Sequence, residues 1–181
     1  VGAFSGSAAA GWKFTDDVRL SASYGTAFRA PNLNELYSPG YGGYYAGNPG
    51  LDPERSRSAE MALDWRIDNA NRFEVRGFST RIHNLIEFTG GATFQAVNVD
   101  HAAIDGAELV HEWRSGDWSV TSNATAQNPR DQDADTPLVR RPKQKADTLV
   151  ERAFGDRFHA GIELFASGKR QDINSITLPG Y

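Results

Sequence analysis

The chain has 181 residues, 39% hydrophobic and 23% charged, with a formal charge of -4 and no cysteine. No apolar run nears the roughly 20 residues of a membrane-spanning helix, which excludes a single-span helical membrane protein. Basic residues scattered among acidic ones exclude the basic face of a nucleic-acid binder, and the lack of cysteine removes disulfide and thiolate chemistry.

Val1 has no initiator methionine before it and the sequence stops on a loop-like Leu178-Pro179-Gly180-Tyr181, so a piece of a longer chain is expected. From Ala3 to Phe14, Ala8, Ala10, Trp12 and Phe14 fall in phase, and Thr15-Asp16-Asp17 turns the chain. Val18, Leu20, Ala22, Tyr24, Thr26 and Phe28 then alternate with Arg19, Ser21, Ser23, Gly25 and Ala27. Period two is the mark of a strand, since a helix would mix the two sets.

Tyr24 to Glu60 follows as a long, turn-rich connection without periodicity of its own, the kind of loop that is functional or disordered in a compact domain. Proline in Arg29-Ala30-Pro31 ends ladder hydrogen bonding, and Asn48-Pro49-Gly50 and Asp52-Pro53 punctuate the return. Ala59, Met61, Leu63, Trp65 and Ile67 give the cleanest alternation in the chain.

Asp68-Asn69-Ala70-Asn71 reads as a tight turn, because Asp and Asn bond their own main chain. Phe73, Val75 and Gly77 are in phase, Phe78, Thr80 and Ile82 are in the other phase, and that slip predicts a β-bulge at Gly77-Phe78. A connection around Thr89-Gly90-Gly91 leads into a segment from Ala92 to Trp113, and Ser115-Gly116-Asp117 turns the chain into Trp118, Val120, Ser122, Ala124 and Ala126. Asn128 to Pro137 is a polar loop, a charged strand is expected from about Val139 to Arg152, and the last runs through Phe158, Ala160, Ile162, Leu164 and Ala166. The expectation is all-β: eight antiparallel neighbours.

An up-and-down membrane barrel and a water-soluble sandwich both produce this alternation. Three features favour the barrel. Strands of about ten residues reach across a bilayer when tilted. Aromatic residues gather near strand ends, at Trp12, Phe14, Phe28, Trp65, Phe73, Phe88, Trp113 and Trp118. Short turns near 15, 69, 116 and 155 alternate with long connections at 29–55, 86–93, 128–138 and from 168 onward, the asymmetry of outer-membrane barrels.

Against that pattern, the run Tyr24-Gly25-Thr26-Ala27-Phe28-Arg29-Ala30-Pro31-Asn32-Leu33-Asn34-Glu35-Leu36-Tyr37 resembles the TonB-dependent outer-membrane receptors. So do Asn48-Pro49-Gly50-Leu51-Asp52-Pro53-Glu54-Arg55-Ser56, Phe78 to Ile86, and Asn98 followed by Ile104-Asp105-Gly106-Ala107-Glu108. Thr136-Pro137-Leu138-Val139-Arg140-Arg141-Pro142-Lys143 looks like a run of the cobalamin-receptor branch. The resemblance implies that residues 1–181 form part of a 22-stranded transmembrane β-barrel, about eight strands from its carboxy-terminal half, without plug or final strands. It also implies location in the outer membrane of a Gram-negative bacterium and import of vitamin B12 or an iron-siderophore ligand. Contact with outer-membrane lipid, and with TonB through an amino-terminal region, would follow.

On the long loop, Tyr41, Tyr44 and Tyr45 within Tyr41-Gly42-Gly43-Tyr44-Tyr45 are the candidate ligand contacts, as aromatic rings offer large contact area with a polar tip; loop packing is the competing reading. Asp131, Asp133 and Asp135 have the D-x-D-x-D spacing that begins a calcium loop, but Thr136 stands where glycine is required and Pro142 where a glutamate would ligate, so a solvated acidic loop is favoured. Arg140, Arg141, Lys143 and Lys145 form a basic cluster, read either as a lipid or lumen contact or as a solvated strand start balancing the aspartates. His83, His101, His111 and His159 lack a metal-ligand spacing, and no phosphate-binding, dinucleotide or nucleophile motif occurs. No cofactor or catalytic group is expected. The alternatives are an outer-membrane barrel protease or lipase using residues such as His83, His101, Asp131 and Asp133, and a soluble β-sandwich binding module.

Overall fold

The computed structural model describes residues 3–172 and 177–181. Its elements are β1 (Gly6–Lys13), β2 (Val18–Arg29), α1 (Leu33–Tyr37), β3 (Glu54–Arg66), β4 (Asn71–Gly90), β5 (Gln95–Ser115), β6 (Trp118–Asp131), β7 (Thr136–Pro137), β8 (Gln144–Phe154), β9 (Phe158–Ser167), β10 (Arg170–Gln171) and β11 (Thr177–Leu178). The eight long strands pair antiparallel in the order β1-β2-β3-β4-β5-β6-β8-β9, with β7 added beside the end of β6. β10 and β11 form a separate pair. The long connection expected from 168 onward is described only outside residues 173–176.

Directly paired residues of an antiparallel ladder share a face, so the register identifies the two surfaces of the wall. One row runs Trp12, Leu20, Leu63, Val75, Leu109, Ala124, Ala146 and Ala166. Next to it, towards the short turns, lie Val18, Trp65, Phe73, His111, Ser122, Thr148 and Leu164. This apolar face is bare: Trp12 is 67% and Ile162 70% exposed. A soluble sandwich would bury it beneath a second sheet, and among the described residues there is none. An apolar face exposed along a single-layer wall suits hydrocarbon rather than water.

The opposite face carries charge in alternating sign. Arg72 pairs with Asp64 and lies 3.8 Å from Glu112, while Arg76 reaches Glu74 at 2.6 Å and Glu108 at 3.7 Å. Opposite charges on neighbouring strands satisfy one another, and they make this the inner, lumen-facing surface.

The buried apolar residues all lie at the long-connection end of the strands: Leu51, Ile86 and Ala96 in one cluster, Leu85, Ala102 and Leu138 in another. β4 and β5 are 20 and 21 residues long, well beyond the roughly 9–11 that cross a bilayer. Their surplus projects past the apolar belt and turns only at Gly91–Phe94.

Four expectations change here. No bulge occurs at Gly77-Phe78, where Gly77↔Ala107 and Phe78↔Gly106 continue one register. Phe78 occupies the inner face because Gly106 opposite it leaves room, and a Cβ there would lie 2.5 Å from the ring. The irregularities fall instead at Asn84, with φ +58°, and between Phe88 and Gly90. The charged strand starts at Gln144 rather than Val139, because Leu138 is buried and Arg140 has φ +60°.

Phe88 is not part of an interfacial belt, since it packs on the Leu51–Ile86–Ala96 cluster. Trp12, Trp65, Phe73, Trp113, Trp118, Phe154 and Phe158 make one aromatic girdle at the short-turn end. The long connection contains α1, so it is not without periodic structure throughout.

Candidate functional site

The site is the mouth formed by the long connection between β2 and β3 and the projecting β4–β5 hairpin. Its frame starts at Arg29, the last residue of β2. The guanidinium donates to Glu35 at 2.9 and 3.0 Å and to Glu54 at 2.8 and 2.5 Å, joining the strand end, α1 and the start of β3. Helix α1 is held by a capping box: Glu35 N–H donates to Asn32 Oδ1 at 2.9 Å and Asn32 N–H to Glu35 Oε2 at 2.8 Å. Glu35 is buried, and its charge is acceptable there only because these donors surround it.

Glu54 also accepts the Ile86 N–H at 2.8 Å, which ties β3 to β4. Burial pushes the Glu54 carboxyl up, but the hydrogen bonds from Arg29 and Ile86 and the charges of Arg29 and Arg141 outweigh it and hold it below the ordinary carboxylate value. Arg29 is correspondingly raised, chiefly by its hydrogen bond to Glu54.

Asparagines fasten the rest. Asn48 donates through Nδ2 to Ala96 O at 3.1 Å while its Oδ1 accepts from Gly50 N–H at 2.9 Å. Asn98 accepts from Asp52 N–H at 2.9 Å and donates to Asp52 O at 3.0 Å and Asn84 O at 2.8 Å. The residues of the sequence motifs are thus engaged with the chain itself and set loop geometry.

The three tyrosines lie above this frame. Tyr41 and Tyr44 form an isolated bridge whose turn uses Gly42 and Gly43 at positive φ. Tyr41 is 88% exposed at the tip. Tyr45, 38% exposed, is pinned by its N–H to Thr93 O at 2.8 Å, and its ring lies 5.4 Å from Phe94 and 6.4 Å from Phe88. Tyr44 sits 6.3 Å from Phe94. Tyr45 is therefore a packing residue as well as a surface one, and Tyr41 and Tyr44 offer the free ring faces.

The basic cluster is dispersed. Arg141 reaches Glu87 at 2.6 Å and Arg140 reaches Asp172 at 2.9 Å, so neither balances the aspartates of the 131–135 loop. Burial pushes the Glu87 carboxyl up, partly offset by Arg141. An open hollow of about 340 Å³ lined by Ile86, Glu87, Phe88, Val139, Arg140 and Arg141 lies beside this pair.

The three aspartates face separate partners. Asp131 accepts the N–H groups of Asp133 and Ala134, Asp133 holds His101 with Nδ1 to Oδ1 at 3.0 Å, and Asp135 pairs with Arg130. Among the described residues they do not converge on a common point. Sequence spacing also missed one juxtaposition: β4–β5 register sets His83 directly opposite His101, their rings 5.0 Å apart.

The family described as TonB dependent receptor-like, beta-barrel matches residues 1–181. Among solved structures, the copper transporter OprC is 21% identical and superposes with a TM-score of 0.76 over 98% of this chain and 29% of its own. The ferric enterobactin receptor PfeA of Pseudomonas aeruginosa is 20% identical, with a TM-score of 0.74 over 98% of this chain and 31% of its own. The FrpB iron transporter of Neisseria meningitidis is 16% identical, with a TM-score of 0.66 over 98% and 30%. The chain thus spans about 30% of the length of these proteins, and at such identities the likeness concerns the fold. With the bare apolar belt, the charged inner face and a family match along its whole length, the chain belongs to the TonB-dependent receptors and forms a stretch of their outer-membrane β-barrel wall.

Proposed function

We propose that this chain is the part of an outer-membrane importer that builds barrel wall and outside loops for capture of a scarce metal chelate, a ferric siderophore or cobalamin. The observation that carries the reading is the clamped mouth. Arg29, Glu35, Glu54 and Asn98 are spent on holding a long loop against the projecting β4–β5 hairpin, which leaves Tyr41 and Tyr44 presented outward on a rigid base. A wall segment without a binding task has no need of such a frame.

Solved relatives named for copper, ferric enterobactin and iron transport favour a metal-containing cargo. The run Thr136 to Lys143 favours cobalamin by its resemblance, and the hollow beside Glu87 and Arg141 gives that end of the wall a polar lip. Uptake would draw on TonB through the parent protein's amino-terminal region. An enzyme reading has less support, because His101 and Asp133 face each other at an exposed edge without a nucleophile beside them.

The test is growth of a deletion strain on ferric siderophores or on cobalamin as sole source, complemented with the full-length gene. Growth on one chelate that requires TonB supports the reading and names the cargo. Full outer-membrane assembly with TonB-independent growth on every chelate overturns it.

A further inference from the structure

The apolar belt ends differently at its two rims. At the short-turn rim it ends in the aromatic girdle. At the loop-side rim the outward row Ala8, Tyr24, Ala59, Ser79 and Asp105 is followed by Thr26, Arg57, Arg81, Ala103 and Arg130. Arg55, beside Phe28 and His83, stands one row further out on the same face.

Arg57 and Arg81 are direct cross-strand partners, an arrangement of like charges that is unfavourable unless an anion lies between them. Arg81 has Asp105 at 2.7 Å, and Arg130 has Asp135 at 2.5 Å. His101 takes Asp133. Among the described residues, Arg55 and Arg57 have no carboxylate partner, and both are exposed on the outward face.

We infer that this arginine row binds the phosphate groups of phosphorylated lipid in the outer leaflet. Three features single out that occupant. The row is continuous with the lipid-covered belt, so whatever fills it sits at headgroup height. Four arginines against Asp105 and Asp135 leave an excess of positive charge, and guanidinium forks match phosphate oxygens. The row also stands at the rim where a second aromatic girdle would otherwise mark the interface, so charge rather than ring stacking fixes the depth of this part of the wall. The inference does not depend on which chelate is carried.

The experiment uses the full-length receptor and its Arg55→Gln/Arg57→Gln double variant in phosphatidylcholine nanodiscs, with and without diphosphoryl lipid A. Lipid retained by the protein is read by native mass spectrometry, and Tm by tryptophan fluorescence. The wild type is expected to retain lipid A over phosphatidylcholine and to gain Tm with it. The double variant is expected to bind it roughly thirtyfold more weakly, from the loss of two charges at an anionic surface, with an unchanged Tm in pure phosphatidylcholine. If the double variant does not assemble, Arg57→Gln against Arg57→Lys gives the same comparison, lysine retaining the charge. Equal lipid A retention by wild type and glutamine variants overturns the inference. So does an equal rise in Tm with inorganic phosphate alone, which would assign the row to a soluble anion.

Discussion

The Arg29 guanidinium and the Glu54 carboxylate meet as a fork on a fork, Nε to Oε2 at 2.8 Å and Nη2 to Oε1 at 2.5 Å, at the point where the outside loop leaves one strand and rejoins the next. The same guanidinium uses its remaining edge on Glu35. One planar side chain therefore closes the loop at both ends and fixes the helix between them. Lysine offers no such geometry.

Arg29→Lys is expected to loosen α1 and the loop without unfolding the wall. Because Arg29 is 44% exposed at its side chain, solvent screening reduces the loss to about 1–2 kcal/mol. Hydrogen exchange should report faster exchange at residues 33–53 and unchanged protection in β3 and β4 below the arginine row. Equal exchange throughout would remove the clamp from the account.

Acid should act in two steps. Glu87 is raised above 4.5 by burial, so its folded form is favoured when protonated; that contribution is complete below 4.5 and fades as pH rises through its folded value. Glu54 is held below 4.5, so its contribution is present above 4.5 and is lost as pH falls through its lower folded value. On acidification loop protection should first rise slightly, above pH 4.5, and then fall below it. Glu87→Gln should abolish the first phase and Glu54→Gln the second, in pH-dependent hydrogen exchange of residues 33–53.

Gly106→Ala should destabilise the barrel by about 1–3 kcal/mol through overpacking. Its Cβ would meet the Phe78 ring at 2.5 Å and Ala126 O at 2.6 Å. Thermal unfolding of the full-length receptor in detergent measures this, and pairing the change with Phe78→Leu should restore part of the loss.

The two faces of β3 should answer differently to charge. Leu63→Arg places a cation in the middle of the outward belt and should cost about 2–4 kcal/mol, whereas Ala62→Arg on the inner face should cost far less. Denaturant titration in lipid vesicles distinguishes them, and equal costs would reverse the assignment of the faces.

The wall was legible because a half-buried strand must alternate, and Met61, Leu63, Trp65 and Ile67 do so against charged neighbours. The slip at Gly77-Phe78 misled because alternation reports what occupies a face and not the backbone itself. Phe78 is an aromatic on the polar side, accommodated by a glycine on the next strand. Helix α1 had a usable signal in Asn32 followed by Glu35, the spacing of a capping box. The meeting of His83 with His101 had none, because it depends on where the β4–β5 hairpin turns. The same holds for Glu87 and Arg141, 54 positions apart. Tyr45 was chosen for its ring, but its place is set by its backbone bond to Thr93.

The length of β4 and β5 leaves a single pair of strands serving two opposite solvents. Below the arginine row their apolar side chains point away from the barrel axis into lipid; above it, Leu85, Ile86, Ala96 and Ala102 turn towards protein and are shut off from water. The upper storey thus carries its own miniature interior, as a water-soluble protein does, mounted on a wall built inside out. Substitutions among the outer loop tips can then change what is recognised while leaving the forces that seat the wall in the bilayer untouched.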